Sequence, residues 1–464
     1  MTLLAVCFWL VGIVFLINAI DDLLIDIAQL ANGLRPIEMT TEGWGQVNSA
    51  DEKSIGIMVP AWKESDVLES MVRLNLSRLK YGNYRWFIGV YPNDIDTVTI
   101  AEYLEAKYPE QIYVIKTDRI GPTTKAHCLN CILRFIEDEK YGRLKGWFPH
   151  YLVIHDAEDV IHPKSLKLVN AQETDTDFIQ LPIFSLPVDT RQWVAGTYLD
   201  EFSEVHLKEL PVRQMFKMPI PSAGVGTFFS WRILDVLHKR FGYWFDPENV
   251  TEDYEISLRI ARIGGKQKFL LNRDEGGEII ATREYFPEHM GRSIRQKSRW
   301  STGIGLQTMA RWGAFGIFRS KPSFENLATA YALWRDRKAI WTNPATLFAW
   351  GLVCVWMIVA PLGLNRDMNA LYSPGVIGLF VANMMLLTIR LIQRARFCMQ
   401  LYGVKHGVLA MPRLLASTAI NGSASLLALK SYLQFMASRG EKKIEWEKTE
   451  HKFPELTEIF EGKV

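Results

Sequence analysis

An α/β domain with a largely parallel sheet, joined to transmembrane helices, is the fold class that this 464-residue sequence predicts. Two observations carry it. Between about Ser54 and Trp312, short β-rich runs alternate with helix-like segments, the rhythm of strand, crossover helix and strand. On either side lie apolar runs that approach or match the length needed to cross a hydrocarbon core of about 30 Å. Composition agrees, since 48% of residues are hydrophobic, 15 are Trp and 24 are Phe, yet the mean hydropathy is +0.00. Such a balance suits a chain that is part membrane and part aqueous. The 53 basic and 51 acidic residues leave a formal charge of +2, so no global field attracts nucleic acid and no such partner is expected.

The first apolar run, Leu3–Ile20, reads "LLAVCFWLVGIVFLINAI". No basic segment precedes it, and Asp21-Asp22 follows it in place of a small-residue cleavage site, which favours a retained membrane helix over a cleaved signal peptide. The strand candidates are "SIGIMVPAW", "RWFIGVYPN", "QIYVIKTD", "YLVIHDAED", "FIQLPIF" and "KQKFLLN". In sheets of this kind ligands gather at the carboxyl ends of the strands. Two further apolar runs, Ala345–Leu364 and Gly375–Ile389, are separated by "NRDMNALYSP" and predict a membrane hairpin. Arg335, Arg337 and Lys338 precede it and Arg390, Arg394 and Arg396 follow it, while the loop holds only Arg366. The positive-inside rule then puts the α/β domain in the cytoplasm. Five cysteines, at 7, 128, 131, 354 and 398, have no framework spacing and agree with a reducing compartment. Tyr402–Met436, interrupted by Pro412, Arg413, Asn421 and Gly422, is expected as one or two interfacial helices, with a broken spanning segment as the alternative. The domain reading is therefore residues 1–39 as N-terminal transmembrane helix and juxtamembrane segment and 40–320 as cytoplasmic α/β domain. Residues 321–395 follow as connecting helix and hairpin, and 396–464 as interfacial helices and cytoplasmic tail.

Several motifs carry chemistry. Asp156-Ala157-Glu158-Asp159 packs three carboxylates into four residues at a strand end. Such crowding suits a hard Mg²⁺ or Mn²⁺ held with substrate phosphates, or a solvated acidic turn. Thr251-Glu252-Asp253 opens a helix, where the acids complement the dipole or a carboxylate is placed for general-base work. Gly121 and Pro122 make a turn ahead of Lys125, a cation at a helix start that can face phosphate. Cys128 and Cys131 form a C-x-x-C beside His127, but without a second pair or zinc-finger spacing they read as helix-packing thiols. Gly224 and Gly226 in "PSAGVGTFFSW" mark a turn where backbone can approach a sugar or another strand. "QKSRW", with Gln296, Arg299 and Trp300, reads by itself as a piece of helix with a buried Trp and a paired Arg.

Taken in order, Val59 to Glu64 after the first strand, the Lys125 turn, DAED, G-x-G, TED and Q-x-x-R-W ahead of membrane helices resemble the membrane-integrated family 2 glycosyltransferases, the group of cellulose and hyaluronan synthases. The likeness covers about Ser54–Gln307. "YALWRDRKAIWTNP" and the tail "WEKTEHKFP" are further similar to the glycosyltransferase portion of phage-receptor inner-membrane subunits, relatives that often carry a further regulatory domain. The resemblance implies a GT-A, Rossmann-like fold and an inverting, metal-dependent transfer of sugar from a nucleotide sugar, UDP-linked, to a lipid or polysaccharide acceptor. It implies an inner-membrane location with a cytoplasmic catalytic domain and an export partner in the outer membrane. The competing reading is a membrane scaffold or phage-receptor component that binds without turnover.

By the same resemblance Pro60, Ala61, Glu64, Asp94 or Asp96, Lys125 and Asp156 line the nucleotide pocket. Asp156 with Glu158 stands for the usual DxD, and Asp159 is a substitute metal ligand. Asp253 is the base. Gly224, Gly226, Glu252, Gln296, Arg299 and Trp300 serve diphosphate and acceptor. The family's D-D-G-S-x-D is not written here, which blurs the choice between Asp94 and Asp96.

Overall fold

The computed structural model describes residues 3–313, 324–359, 373–438 and 453. Arg366 with most of its loop, and the charged tail apart from Phe453, lie outside the described residues. The described residues form two compact units: a sheet unit of residues 35–187 and 213–286 with Phe453, and a helical unit of residues 3–34, 188–212, 287–313, 324–359 and 373–438.

The sheet unit is built on seven strands, numbered here in chain order: β1 Ile55–Pro60, β2 Tyr84–Val90, β3 Ile112–Lys116, β4 Tyr151–Ile154, β5 Phe178–Gln180, β6 Thr227–Ser230 and β7 Gln267–Phe269. Their order in the sheet is β7-β5-β6-β4-β1-β2-β3. All neighbours run parallel except β6, which is antiparallel to both β4 and β5. Strands β1 to β4 are near-continuous apolar runs because parallel strands are covered on both faces, and Ile57, Trp86, Ile88 and Val153 are fully buried in the resulting core.

The sequence missed β6, reading its region as a small-residue turn. Phe228 and Phe229 alternate to opposite faces of the sheet and both are fully buried. "FIQLPIF" is two strands: after β5 the chain breaks at Leu181-Pro182, and Ile183–Ser185 joins a small sheet with Val160–Ile161 and Thr282–Glu284. Pro182 has no N–H to offer a continuing ladder. "KQKFLLN" divides in the same way, with Asn272–Arg273 pairing to Ile37–Glu38.

Among the described residues of the helical unit, three helices are long and apolar enough to cross a membrane: Val6–Ala31, Phe324–Ile358 and Pro374–Ala437. The last continues past Pro412, Asn421 and Gly422, and its one non-helical residue is Gly403, with φ 80°. Arg413, which looked like an interruption of the apolar run, is completely buried and grips Asp200, Nη2 to Oδ1 at 2.6 Å and Nε to Oδ2 at 3.0 Å. A side chain at Gly196 would sit within 2.6 Å of that guanidinium, so the glycine makes room for it. The Asp21-Asp22 pair at the end of the first apolar run meets the bases ahead of the second: Lys338 Nζ lies 2.6 Å from Asp21 Oδ2 and 2.9 Å from Asp22 Oδ1. Arg335 bonds Asp21 and, at 3.0 Å, Glu209.

Candidate functional site

The loops after β1, β2 and β3 meet in the sheet unit. Past Pro60, Ala61 is buried and its N–H donates to Gly89 O at 2.8 Å. Lys63 takes a positive φ of 57°, and the amides of the turn are collected by the start of the helix Ile95–Lys107 that follows β2: Lys63 N donates to Asp94 Oδ2 at 2.5 Å and Glu64 N to Thr97 Oγ1 at 3.0 Å. Asp94 is buried and Asp96 exposed, so of the two acids in "YPNDID" only Asp94 is built into this corner. Asn93 clamps Gly121 through both its amide atoms, at 2.7 and 2.8 Å. Any side chain on Gly121 would overlap the Trp62 ring, which in turn stacks edge-on to Tyr91 at 5.0 Å.

From this loop the chain enters the helix Lys125–Asp138, capped by Thr124, whose hydroxyl accepts from His127 N at 3.2 Å. Lys125 thus stands at the first helical position. Its ammonium lies 2.5 Å from Asp156 Oδ1 at the end of β4 and 3.4 Å from Gly224 O. Burial works against the charged amine, but Asp156, Glu252 and Asp253 hold its pKa well above the ordinary lysine range.

Gly224 and Gly226 have φ of 84° and 59°, a region that disfavours any residue with a Cβ, and they precede β6. A methyl on Gly224 would come within 2.8 Å of Asp253 Oδ2 and 3.8 Å of Lys125 Nζ. Close approach therefore explains that glycine. Gln180, at the end of β5, holds this turn: its Oε1 accepts from Ala223 N at 3.0 Å and from the Thr227 hydroxyl at 2.7 Å, while its Nε2 donates to Val225 O at 3.0 Å.

Glu252 and Asp253 open the helix Glu252–Arg262, with Glu252 buried and Asp253 half-buried. The expected cap differs in detail. Thr251 occupies the cap position, but its hydroxyl donates to Asn249 Oδ1 at 3.3 Å and caps nothing. Nearby Glu255 is structural, its carboxylate 2.7 Å from the fully buried Arg259 guanidinium.

In the DAED turn the acids divide. Asp159 is fully buried, bonded to His155 Nδ1 at 2.7 Å and to the Asp156 amide at 3.1 Å. Asp156 and Glu158 instead share a cluster with Glu284, their oxygens all within 4.8 Å of one another. Glu284 arrives through the small sheet, where Thr282–Glu284 pairs with Val160–Ile161 on one side and Ile183–Ser185 on the other. Reading the sequence missed it, because a lone acid in a three-residue strand has no local motif. Three carboxylates in this spacing supply the oxygen-only donor set that a hard divalent cation takes.

Gln296, Arg299 and Trp300 lie in the helical unit, on the helix Met290–Trp300. Gln296 Oε1 accepts from Tyr198 OH at 2.8 Å, and the Trp300 ring sits 6.3 Å from those of Tyr198 and Phe202. Arg299 has no ion-pair partner among the described residues. The buried anchor is Lys297, whose ammonium reaches Glu201 Oε2 at 2.5 Å and Asn421 Oδ1 at 2.9 Å. Burial pushes the Glu201 carboxyl up, but Lys297 and Arg394 outweigh it and bring the pKa down to about 2.

Known proteins share both sequence and fold with this chain. Bacteriophage adsorption protein B of Escherichia coli strain K12 is 32% identical over 474 residues, covering 96% of this chain. Bacteriophage N4 adsorption protein B of E. coli O157:H7 matches to the same extent. The chain spans 62% of the length of these curated relatives. Among solved structures, the mannosyltransferase PcManGT from Pyrobaculum calidifontis, in complex with GDP-Man and Mn²⁺, superposes with a TM-score of 0.51 at 14% identity. That likeness covers 82% of this chain and 98% of PcManGT and shows a shared GT-A fold. The family model described as "Glycosyltransferase like family 2" matches residues 52–303, more than half of the sequence, and the chain belongs to that family.

Proposed function

We propose that this chain moves a sugar from a nucleotide-diphosphate donor to a membrane-associated acceptor, with inversion at the anomeric carbon. One observation carries the reading: Asp253, Lys125, Gly224 and Asp156 converge at the carboxyl end of β4, where Asp156 also joins Glu158 and Glu284 in a cluster of three carboxylates. Asp253 takes the proton of the acceptor hydroxyl as that oxygen attacks the anomeric carbon. The bond from that carbon to the phosphate oxygen breaks, and its electron pair leaves with the nucleoside diphosphate. Lys125 directs positive charge at the developing diphosphate, and Gly224 lets backbone come close to the base.

Asp156, Glu158 and Glu284 would hold Mg²⁺ or Mn²⁺, and the ion, when bound, supplies charge neutralisation at the leaving group. The Mn²⁺ and GDP-Man of PcManGT support that assignment by analogy of fold. Asp94, Pro60, Ala61 and Glu64 form the nucleotide corner. Gln296, Arg299 and Trp300 receive their diphosphate and acceptor roles from the family pattern. The three membrane-length helices and their flanking bases support an inner-membrane enzyme with its sheet unit on the cytoplasmic side. The likeness to bacteriophage adsorption proteins favours a second reading, a phage-receptor component without turnover.

The deciding experiment incubates purified chain with Mn²⁺ and a panel of UDP- and GDP-linked sugars and measures nucleoside diphosphate release. Release from one donor supports transfer. No release from any donor, with the protein folded, supports the receptor reading.

A further inference from the structure

We propose that Asp118, His127 and Cys131 form a second metal site, for a thiol-preferring divalent cation of the Zn²⁺ class, where the loop after β3 enters the helix Lys125–Asp138. It is separate from the oxygen-only cluster at Asp156, Glu158 and Glu284.

His127 and Cys131 are four residues apart on one helix, so their side chains share a face. Asp118, two residues past β3, reaches across to them. Its Oδ1 lies 2.8 Å from His127 Nε2 and 3.6 Å from Cys131 Sγ, and Sγ is 4.0 Å from Nε2. A point equidistant from these three atoms is about 2 Å from each, close to the length of zinc bonds to nitrogen, oxygen and sulfur. One imidazole, one carboxylate and one thiol are donors that zinc accepts together, and the mixed set distinguishes this trio from the hard oxygen cluster.

The surroundings orient the donors. His127 Nδ1, the nitrogen facing away from the trio, is 3.2 Å from Thr123 Oγ1, and that hydroxyl is 2.8 Å from Tyr91 OH. Holding the remote nitrogen in this way fixes the ring so that Nε2 points to the cation, as outer-shell partners do in metal sites. Arg134 Nη1 sits 3.6 Å from Asp118 Oδ2 and leaves Oδ1 to face the histidine and the thiol. The Asp118 side chain is 53% exposed, so water reaches the fourth position. Cys128 is not part of the trio. It is buried, and a methyl on Gly89 would overlap its sulfur, which makes it the packing thiol of the C-x-x-C.

Ion uptake displaces the Cys131 proton to solvent, moves the His127 proton from Nε2, where it faces Asp118 Oδ1, to Nδ1, where the Thr123 hydroxyl accepts it, and ties Asp118, at the start of the loop, to the helix at its end. Between them lie Gly121, seated on Trp62, and Lys125. The cation thus braces the loop that carries the candidate phosphate-facing lysine, from outside the reaction site.

The test is titration of the purified full chain with Co²⁺. One equivalent should give a thiolate-to-cobalt charge-transfer band, reversed by Zn²⁺, lost in Cys131→Ser and His127→Ala and kept in Cys128→Ala. The oxygen-only cluster produces no such band, so the result is independent of the proposed transfer reaction. Absence of the band from the wild-type chain, which needs no variant to fold, overturns the site. A band that persists in Cys131→Ser does the same.

Discussion

Lys125 Nζ lies 2.5 Å from Asp156 Oδ1, joining the start of one helix to the end of a central strand. The pair places a half-buried ammonium beside acids that would otherwise repel one another. Its consequence is electrostatic: Lys125→Met removes a cation aimed at the leaving diphosphate while keeping the length of the stem. Turnover with a nucleotide sugar should fall by about 10² to 10³, the effect of deleting one preorganised charge-stabilising donor. Steady-state kinetics with nucleoside diphosphate release as readout checks this.

Glu284 and Asp159 should separate under mutation. Glu284→Gln removes a candidate ligand oxygen and is expected to weaken Mn²⁺ binding by at least about 10-fold, an effect that even outer-shell changes reach. Asp159→Asn disturbs the bond to His155 and should lower thermal stability with a smaller change in Mn²⁺ affinity. Calorimetric Mn²⁺ titration alongside melting of each variant distinguishes the two roles.

These two acids also mark what was legible in the sequence. Strands β1 to β4 could be read directly, because strands covered on both faces are written as apolar runs. The DAED turn, Lys125 and TED could be read because each is a local cluster at the end of such an element. Glu284 could not be read, since its place depends on pairing with Ile183–Ser185 about one hundred residues earlier, a register that no local pattern encodes. Arg413 was misleading for the same reason: it looks like an interruption until Asp200, 213 residues away, is seen to neutralise it.

That buried pair carries a stability prediction. Arg413→Leu leaves Asp200 enclosed without its guanidinium and should destabilise the protein by about 3–5 kcal/mol, whereas the double replacement Asp200→Leu with Arg413→Leu should cost less. Thermal melting in detergent compares the two.

Acid should weaken the fold through His206, which is buried against Phe202 and has its pKa pushed down to about 3 by burial, Glu209 opposing. The unfolded chain takes up a proton near pH 6.5 and the folded chain does not. The stabilising difference is therefore complete above about pH 6.5 and is lost as pH falls from there toward 3, with a slope approaching about 1.4 kcal/mol per pH unit. Melting between pH 8 and pH 5 should show a shallower decline in His206→Phe than in the wild type.

Asp253 is the residue on which the proposed reaction turns, and Asp253→Asn preserves its size while removing the base. Sugar transfer in membranes, measured from the nucleotide sugar that the donor screen identifies, is the direct test. Transfer should fall by at least about 10², the lower range of general-base contributions, with melting temperature and Mn²⁺ binding retained. Undiminished transfer by the folded variant would contradict catalysis through Asp253.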